Sequence, residues 1–192
     1  MTPRYYVGVD VGTGSARAAL VQEGGQVVAQ AAASISTWRY ESDSRLYEQS
    51  AAQIWSAIAA CVRKVVQEAH VAPEQVHGLG FDATCSLVVT DADGKPVSVT
   101  PPAERSANPD ADVSERNVIL WADHRAEDEA RDINATKHKV LDYVGGTMSL
   151  EMEMPKTLWL KRHLDAATFD QCRFFDLPDY LTCRATGAPA RS

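Results

Sequence analysis

The sequence predicts an α/β protein in which a mixed sheet, opened by an antiparallel N-terminal meander, carries flanking helices. Two observations point there. Residues 4–29 hold three runs of strand-forming residues separated by glycine turns, and from Ser50 onward the apolar residues change to helical spacing.

The first run, Arg4 to Val11, is rich in β-branched and aromatic residues and leads straight into Gly12-Thr13-Gly14, which reads as a strand entering a turn. Arg17 to Val21 and Gln26 to Ala29 flank the Gly24-Gly25 pair, so two further strands joined by a tight hairpin complete the meander. Ile54, Ile58, Val62, Val65 and Ala69 follow at separations of three or four, which places them on one stripe of a helix. Ser50 and Gln53 fit a capping box at its start.

Beyond Pro73, Val76 to Phe81 and Ser86 to Thr90 read as two strands that meet near Asp82-Ala83-Thr84, with the turn Asp91-Ala92-Asp93-Gly94 closing the pair. Residues 96–116 are proline-bearing, small, polar and aperiodic, and are assigned to a surface loop. Val118 to Trp121 reads as a short buried strand, and a helix is expected from Asp123 to about Tyr143, where Gly145-Gly146 breaks it. A second helix should start with Pro155 at its first position and run to Leu164. Asp179-Tyr180-Leu181 belongs to another short helix that Gly187 would end, and neither an internal repeat nor a low-complexity linker marks a division into two domains.

Composition narrows the class of partner. Apolar residues make up 45% of the chain and charged residues 23%, as in ordinary globular domains. The net charge of −7, with no basic stripe, argues against a nucleic-acid partner. No apolar run reaches the roughly 18 residues of a membrane helix, and the first residues lack the charged leader and apolar stretch of a secretory signal. A cytoplasmic location is therefore expected. Cys61, Cys85, Cys172 and Cys183 form no C-x-x-C pair and read as buried or inert thiols in a reducing compartment. His70, His77, His138 and His163 show no metal-ligand spacing.

Three places could carry chemistry. Gly12-Thr13-Gly14-Ser15 follows a strand ending near Asp10, and glycines there let backbone N–H groups approach an anion while Thr13 and Ser15 offer hydroxyls and Arg17 a positive charge. An ordinary hairpin turn explains the same residues. Neither the third glycine of a dinucleotide fingerprint nor the Gly-Lys-Ser/Thr of a P-loop is present. Asp10 could hold a hydrated Mg²⁺ or merely cap the turn. Asp82, at the junction of two apolar strands, is either paired within the fold or reserved for a polar ligand. Trp121-Ala122-Asp123-His124-Arg125 sets an aromatic ring beside hydrogen-bonding groups, the means by which a site grips a polyhydroxylated molecule. A helix N-terminus with a surface ion pair would use the same residues.

Taken in order, Asp10-Val11-Gly12-Thr13-Gly14-Ser15-x-Arg17, Gly78-Leu79-Gly80-Phe81-Asp82-Ala83-Thr84-Cys85-Ser86, Trp121-x-Asp123-His124-Arg125, Pro155-Lys156-x-x-Trp159-Leu160 and Asp179-Tyr180-Leu181 with Ala185-Thr186-Gly187 resemble the FGGY family of carbohydrate kinases, most closely its ribulokinase-like branch. Glycerol kinases of the family carry an Arg-Glu pair where Ala83-Thr84 stand. Thr157 occupies a position that is usually aliphatic in the family.

The resemblance implies an actin-like, ribonuclease-H-like fold and an ATP-dependent transfer of phosphate to a primary hydroxyl of a ketopentose, D-ribulose first. It further implies that Asp10 supports Mg²⁺, that Gly12, Thr13, Gly14, Ser15 and Arg17 face the phosphates of ATP, and that Asp82, Ala83, Thr84, Trp121, Asp123 and His124 line the sugar pocket. Full family members are more than twice as long. The resemblance thus makes residues 1–192 an incomplete N-terminal domain, with the catalytic aspartate and the adenosine-binding domain expected beyond Ser192 and a homodimer of the full-length parent left open. A catalytically inactive actin-like binding or regulatory module is the alternative reading.

Overall fold

A computed structural model describes residues 3–107 and 109–188. In chain order its strands are β1 (Tyr5–Val11), β2 (Ser15–Gln22), β3 (Val27–Ser34), β4 (Trp38–Arg39), β5 (Tyr47–Gln49), β6 (Val76–Ala83), β7 (Leu87–Thr90), β8 (Val118–Ile119) and β9 (Arg173–Asp176). The helices are α1 (Ala51–Glu68), α2 (Pro102–Ala107), α3 (Glu127–Ala135), α4 (Glu153–His163), α5 (Ala166–Gln171) and α6 (Leu177–Thr186).

No linker divides the chain, yet it forms two compact units. Among the described residues, one comprises 3–37, 52–84 and 178–188, the other 38–51, 85–107 and 109–177. The units are interleaved along the chain, so no single stretch of polar or low-complexity sequence could have marked the division.

In the first unit the expected meander is present: β1 pairs antiparallel with β2, and β2 with β3. β6 lies on the other side of β1 and runs parallel to it, giving the mixed order β3-β2-β1-β6. Alternation along β1 sends Val7, Val9 and Val11 into the core and leaves Gly8 and Asp10 on the open face. Helix α1 presents Ile54, Ile58, Cys61 and Val65 as its buried stripe. Its Cys61 thiol donates to the Ala16 carbonyl of β2 at 3.6 Å, which fixes the helix to the inner face of the sheet. Helix α6 ends at Gly187 with φ +71°, a left-handed conformation that suits glycine and explains the stop.

The second unit holds an antiparallel sheet in the order β4-β5-β8-β7-β9. Leu87, Val89, Val99, Ile119, Ala126, Trp159, Leu160 and Cys172 form its core.

Several sequence expectations are corrected here. β6 and β7 do not pair with each other, because β6 completes the first sheet and β7 sits inside the second. The Asp91–Gly94 turn instead folds the chain back on the end of β7, where Thr90 bridges to Pro96. The presumed surface loop at 96–116 contains α2 and buries Val99, Thr100 and Glu104. The single helix expected from Asp123 to Tyr143 is α3 followed by a 3-10 turn over Lys139–Val144, with Lys137 at φ +49° between them. Pro155 is the third residue of α4, where its missing N–H is still one of those that no earlier turn could satisfy. Short β4, β5 and β9, and helix α5, were not legible in the periodicity. Cys85 is exposed, so only Cys61 and Cys172 among the four thiols are buried, and burial pushes both of those thiols up.

Candidate functional site

The β1 and β6 register sets Asp10 opposite Asp82, and the β1 and β2 register sets Asp10 opposite Arg17. Residues directly paired across neighbouring strands share a face, so Asp82, Asp10 and Arg17 form a row across three strands on the open side of the sheet. Arg17 Nη1 donates to Asp10 Oδ2 at 2.7 Å, and both side chains remain more than half exposed. Asp82 is exposed as well. Asp10 and Arg17 of this row border a cleft of about 600 Å³ that Gly8, Ala19, Gln30 and Ala32 also line. Small residues keep that face open along the strands, and its ionic end is the Asp10–Arg17 pair.

The Gly12–Ser15 turn sits immediately beyond this row. Gly12 N–H donates to Ser15 C=O at 3.0 Å, the Thr37 hydroxyl donates to Thr13 C=O, and Ile35 N–H donates to Gly14 C=O. Neither Gly12 nor Gly14 adopts positive φ. A Cβ on Gly14 would meet nothing within 4 Å, and one on Gly12 would come only to 3.7 Å of the Arg17 guanidinium. The fold itself requires glycine at neither position, and the turn presents an open backbone surface there. At the end of β6, Ala83 pairs with Val11, and Thr84 N–H donates to Val11 C=O at 3.1 Å, so Asp82, Ala83 and Thr84 are tied to the same strand that ends in the glycine turn.

Trp121, Asp123 and His124 fall in the second unit, on the chain leaving β8. Asp123 is completely buried. Its Oδ1 accepts from Arg125 N–H and Nε, and its Oδ2 accepts from Tyr47 N–H and Arg125 Nη2, at 2.7 to 3.0 Å. Four donors from the protein use the acceptor sites that a carboxylate offers. The Asp123 expectation is therefore recast: its oxygens serve an internal network. Arg125, equally buried, completes that network by donating to Glu48 Oε1 and the Val99 carbonyl, and its guanidinium lies 4.9 Å from the Trp159 ring centroid. Burial opposes the charge on Arg125, but Coulombic attraction and hydrogen bonds to Asp123 and Glu48 together outweigh it and hold the guanidinium charged. Trp121 is half-buried, and its N–H donates to the buried Ser86 hydroxyl at 3.1 Å. His124 is exposed and lies 3.1 Å from Glu151.

The residue that site reasoning missed is Lys156. It is wholly buried, and its ammonium donates to the Leu120 and Trp121 carbonyls at 2.7 and 2.8 Å. Burial pulls its pKa down to about 8, against the opposing attraction of Asp123. The signal was present in the Pro155-Lys156-x-x-Trp159 motif, since Lys156 falls one turn before an apolar helical residue and would be buried with it. The pairing partners Glu48 and Ser86 could not be found that way, because only the second sheet brings β5 and β7 beside β8. Among the described residues no three His, Cys, Asp or Glu gather as a metal cluster, and no helix is long and apolar enough to cross a membrane.

Comparison with known proteins gives the family and the fold. Residues 5–102 match the N-terminal domain of the FGGY family of carbohydrate kinases. Over 98% of its length the chain is 50% identical to a D-ribulokinase of Saccharomyces cerevisiae, covering 25% of that protein. It is 51% identical to a human FGGY carbohydrate kinase domain-containing protein, again over 98% of the chain and covering 32% of the relative. A xylulose kinase structure from Brucella ovis superposes with a TM-score of 0.74 at 22% identity, covering 94% of this chain and 34% of that one. A second, from Rhodospirillum rubrum, gives the same TM-score and identity and covers 94% of this chain and 33% of its own. The fold is thus the actin-like fold of sugar kinases, and the chain belongs to the FGGY family of carbohydrate kinases. It spans a quarter to a third of the length of these curated relatives.

Proposed function

We propose that this chain is the N-terminal segment of a longer kinase that transfers the γ-phosphoryl group of ATP to a primary hydroxyl of a ketopentose, D-ribulose being the preferred substrate. The observation that carries this reading is 50% identity, along nearly the whole chain, to a protein named as a D-ribulokinase. Its sites are the open glycine turn with the Asp82–Asp10–Arg17 row and the Trp121 segment.

In this reading the sugar oxygen attacks the γ-phosphorus, the bond from that phosphorus to the bridging oxygen of ADP breaks, and the hydroxyl proton passes to a base. That base, an aspartate in the family, is assigned to the part of the protein beyond residue 192. Positioning and charge stabilisation account for most of the catalysis in such transfers. Gly12, Thr13, Gly14 and Ser15 receive phosphate oxygens, with room that a side chain on either glycine would fill. Arg17 can turn from Asp10 to a phosphate, since the pair is exposed and worth no more than about 1 kcal/mol.

Mg²⁺ fits the residues present: it takes one or two carboxylates and completes its shell with water and phosphate oxygens, and the exposed Asp10 offers such a carboxylate beside the glycine turn. Bound there, the ion would neutralise charge on the phosphates. In this reading Asp82 and Thr84 of the first unit hydrogen-bond sugar hydroxyls and Ala83 leaves room by being small, while in the second unit Trp121 offers an apolar face and His124 an exposed imidazole to the sugar. Asp123 supports that wall from within.

The test is kcat/KM of the full-length protein for D-ribulose, D-xylulose and glycerol. D-Ribulose should lead; glycerol as the best substrate would overturn the assignment. The 192-residue chain alone should consume no ATP in a sugar-dependent way, and reproducible turnover by the pure chain would place the base among its own residues.

A further inference from the structure

Lys156 is an unusual expense for a protein interior. A fully buried ammonium loses its hydration, and that loss is justified only where its hydrogen bonds hold something in place. Its two acceptors are consecutive carbonyls, Leu120 and Trp121, at the point where the chain leaves β8. The same short stretch is gripped on every other side. Trp121 N–H donates to Ser86 Oγ, Leu120 N–H donates to Tyr47 C=O, and Leu120 C=O also accepts from Asp123 N–H at 3.0 Å. Two residues on, Asp123 is locked by Arg125 and Tyr47. Trp121 as a residue is half-buried, so a tightly held backbone carries a residue that keeps part of its surface open.

We propose that Lys156 is a positioning residue that sets the direction of the Trp121 ring, through its paired bonds to the Leu120 and Trp121 carbonyls, and so sets how well a sugar is held. This rests on the reading of Trp121 as a wall of the sugar site. The role requires a charged donor that reaches both carbonyls. A neutral side chain of similar length would fill the space but donate to neither carbonyl, leaving Leu120 C=O with the Asp123 N–H, whereas arginine, with its fork of N–H groups, could still donate to both.

The experiment has two arms. In the first, the 192-residue chain is labelled with 5-fluorotryptophan, and the Trp121 resonance is assigned by its absence in Trp121→Phe. Lys156→Met should move or broaden the Trp121 signal more than those of Trp38 and Trp55, and Lys156→Arg should bring it back towards the native position. If Lys156→Met does not fold, the Lys156→Arg spectrum and its kinetics decide alone: a Trp121 signal and KM both near native support the proposal, and either one far from native overturns it.

In the second arm, the full-length protein carrying Lys156→Met should show KM for D-ribulose raised about 10-fold or more with kcat changed far less, as expected when charge-assisted bonds that hold a binding group are lost. Lys156→Arg should recover most of the loss. A Trp121 signal indifferent to Lys156→Met overturns the proposal. If that indifference comes with a raised KM, Lys156 acts on sugar binding by a route other than the Trp121 ring, and the proposal falls. A Trp121 signal that moves while KM stays native leaves Lys156 orienting the ring but removes Trp121 from the sugar site, which overturns the wall reading and this proposal with it.

Discussion

Asp10 and Asp82 are direct partners on adjacent parallel strands, and only Asp10 carries the Arg17 guanidinium at 2.7 Å. Arg17 lies on the far side of Asp10 from Asp82, so two neighbouring carboxylates share one cation and leave an excess negative charge at the sheet surface. Like charges in directly opposed positions are unfavourable, so a cation bound beside them, as proposed for Mg²⁺, would relieve the repulsion.

Asp10→Asn should accordingly leave folding nearly intact and damage turnover. The exposed ion pair contributes at most about 1 kcal/mol to stability. Removal of one anionic support for Mg²⁺ should cost about 10²-fold or more in kcat, with a smaller change in KM for sugar. Urea denaturation and steady-state kinetics on the full-length protein check both halves; collapse of sugar affinity with normal kcat would move Asp10 to the sugar side.

Gly14→Ala separates folding from function in the other direction. The position has ordinary φ and open space around a Cβ, so the substitution should raise stability by about 0.4–1 kcal/mol through the unfolded state. The same methyl group intrudes where phosphate is proposed to lie. KM for ATP should rise severalfold while Tm holds or increases, and a variant with native ATP kinetics would remove the turn from the nucleotide site.

Asp123→Ala should unfold the protein before it alters sugar choice. It strips a buried Arg125 of its bidentate partner and leaves Tyr47 N–H unsatisfied, a loss of about 3–5 kcal/mol. Thermal melting of the 192-residue chain is the measurement. A Tm unchanged within error would show that Glu48 and the Val99 carbonyl suffice for Arg125.

Lys156 gives stability a signature in pH. Its pKa is near 8 in the fold against 10.5 in the open chain, so between those values the unfolded chain holds more of the proton and stability contributed by this group rises with pH. Below about 8 both states are protonated and the slope vanishes. Across the whole window the gain is on the order of 3 kcal/mol, and it should appear as the difference between wild type and Lys156→Met in urea midpoints measured from pH 7 to 10. Parallel curves for the two proteins would contradict the buried ammonium.

The sequence by itself determined the local pieces. Strand-forming runs broken by Gly12-Thr13-Gly14 and Gly24-Gly25 specified the meander, and the Ile54 to Val65 stripe specified α1, because period and turn chemistry are properties of neighbouring residues. Five ordered motifs were enough to indicate the family. Tertiary structure decided which strands meet: β6 beside β1, and β7 between β8 and β9, which separates two runs that looked like one pair. It also decided what the charged residues do. Asp10 and Asp123 read alike as carboxylates following a strand, but Asp10 lies on the open face of a sheet, while Asp123 is enclosed by Arg125 and Tyr47. Whether a carboxylate is available to a ligand depends on desolvation and on donors contributed by distant parts of the chain, and those are fixed only when the sheets form.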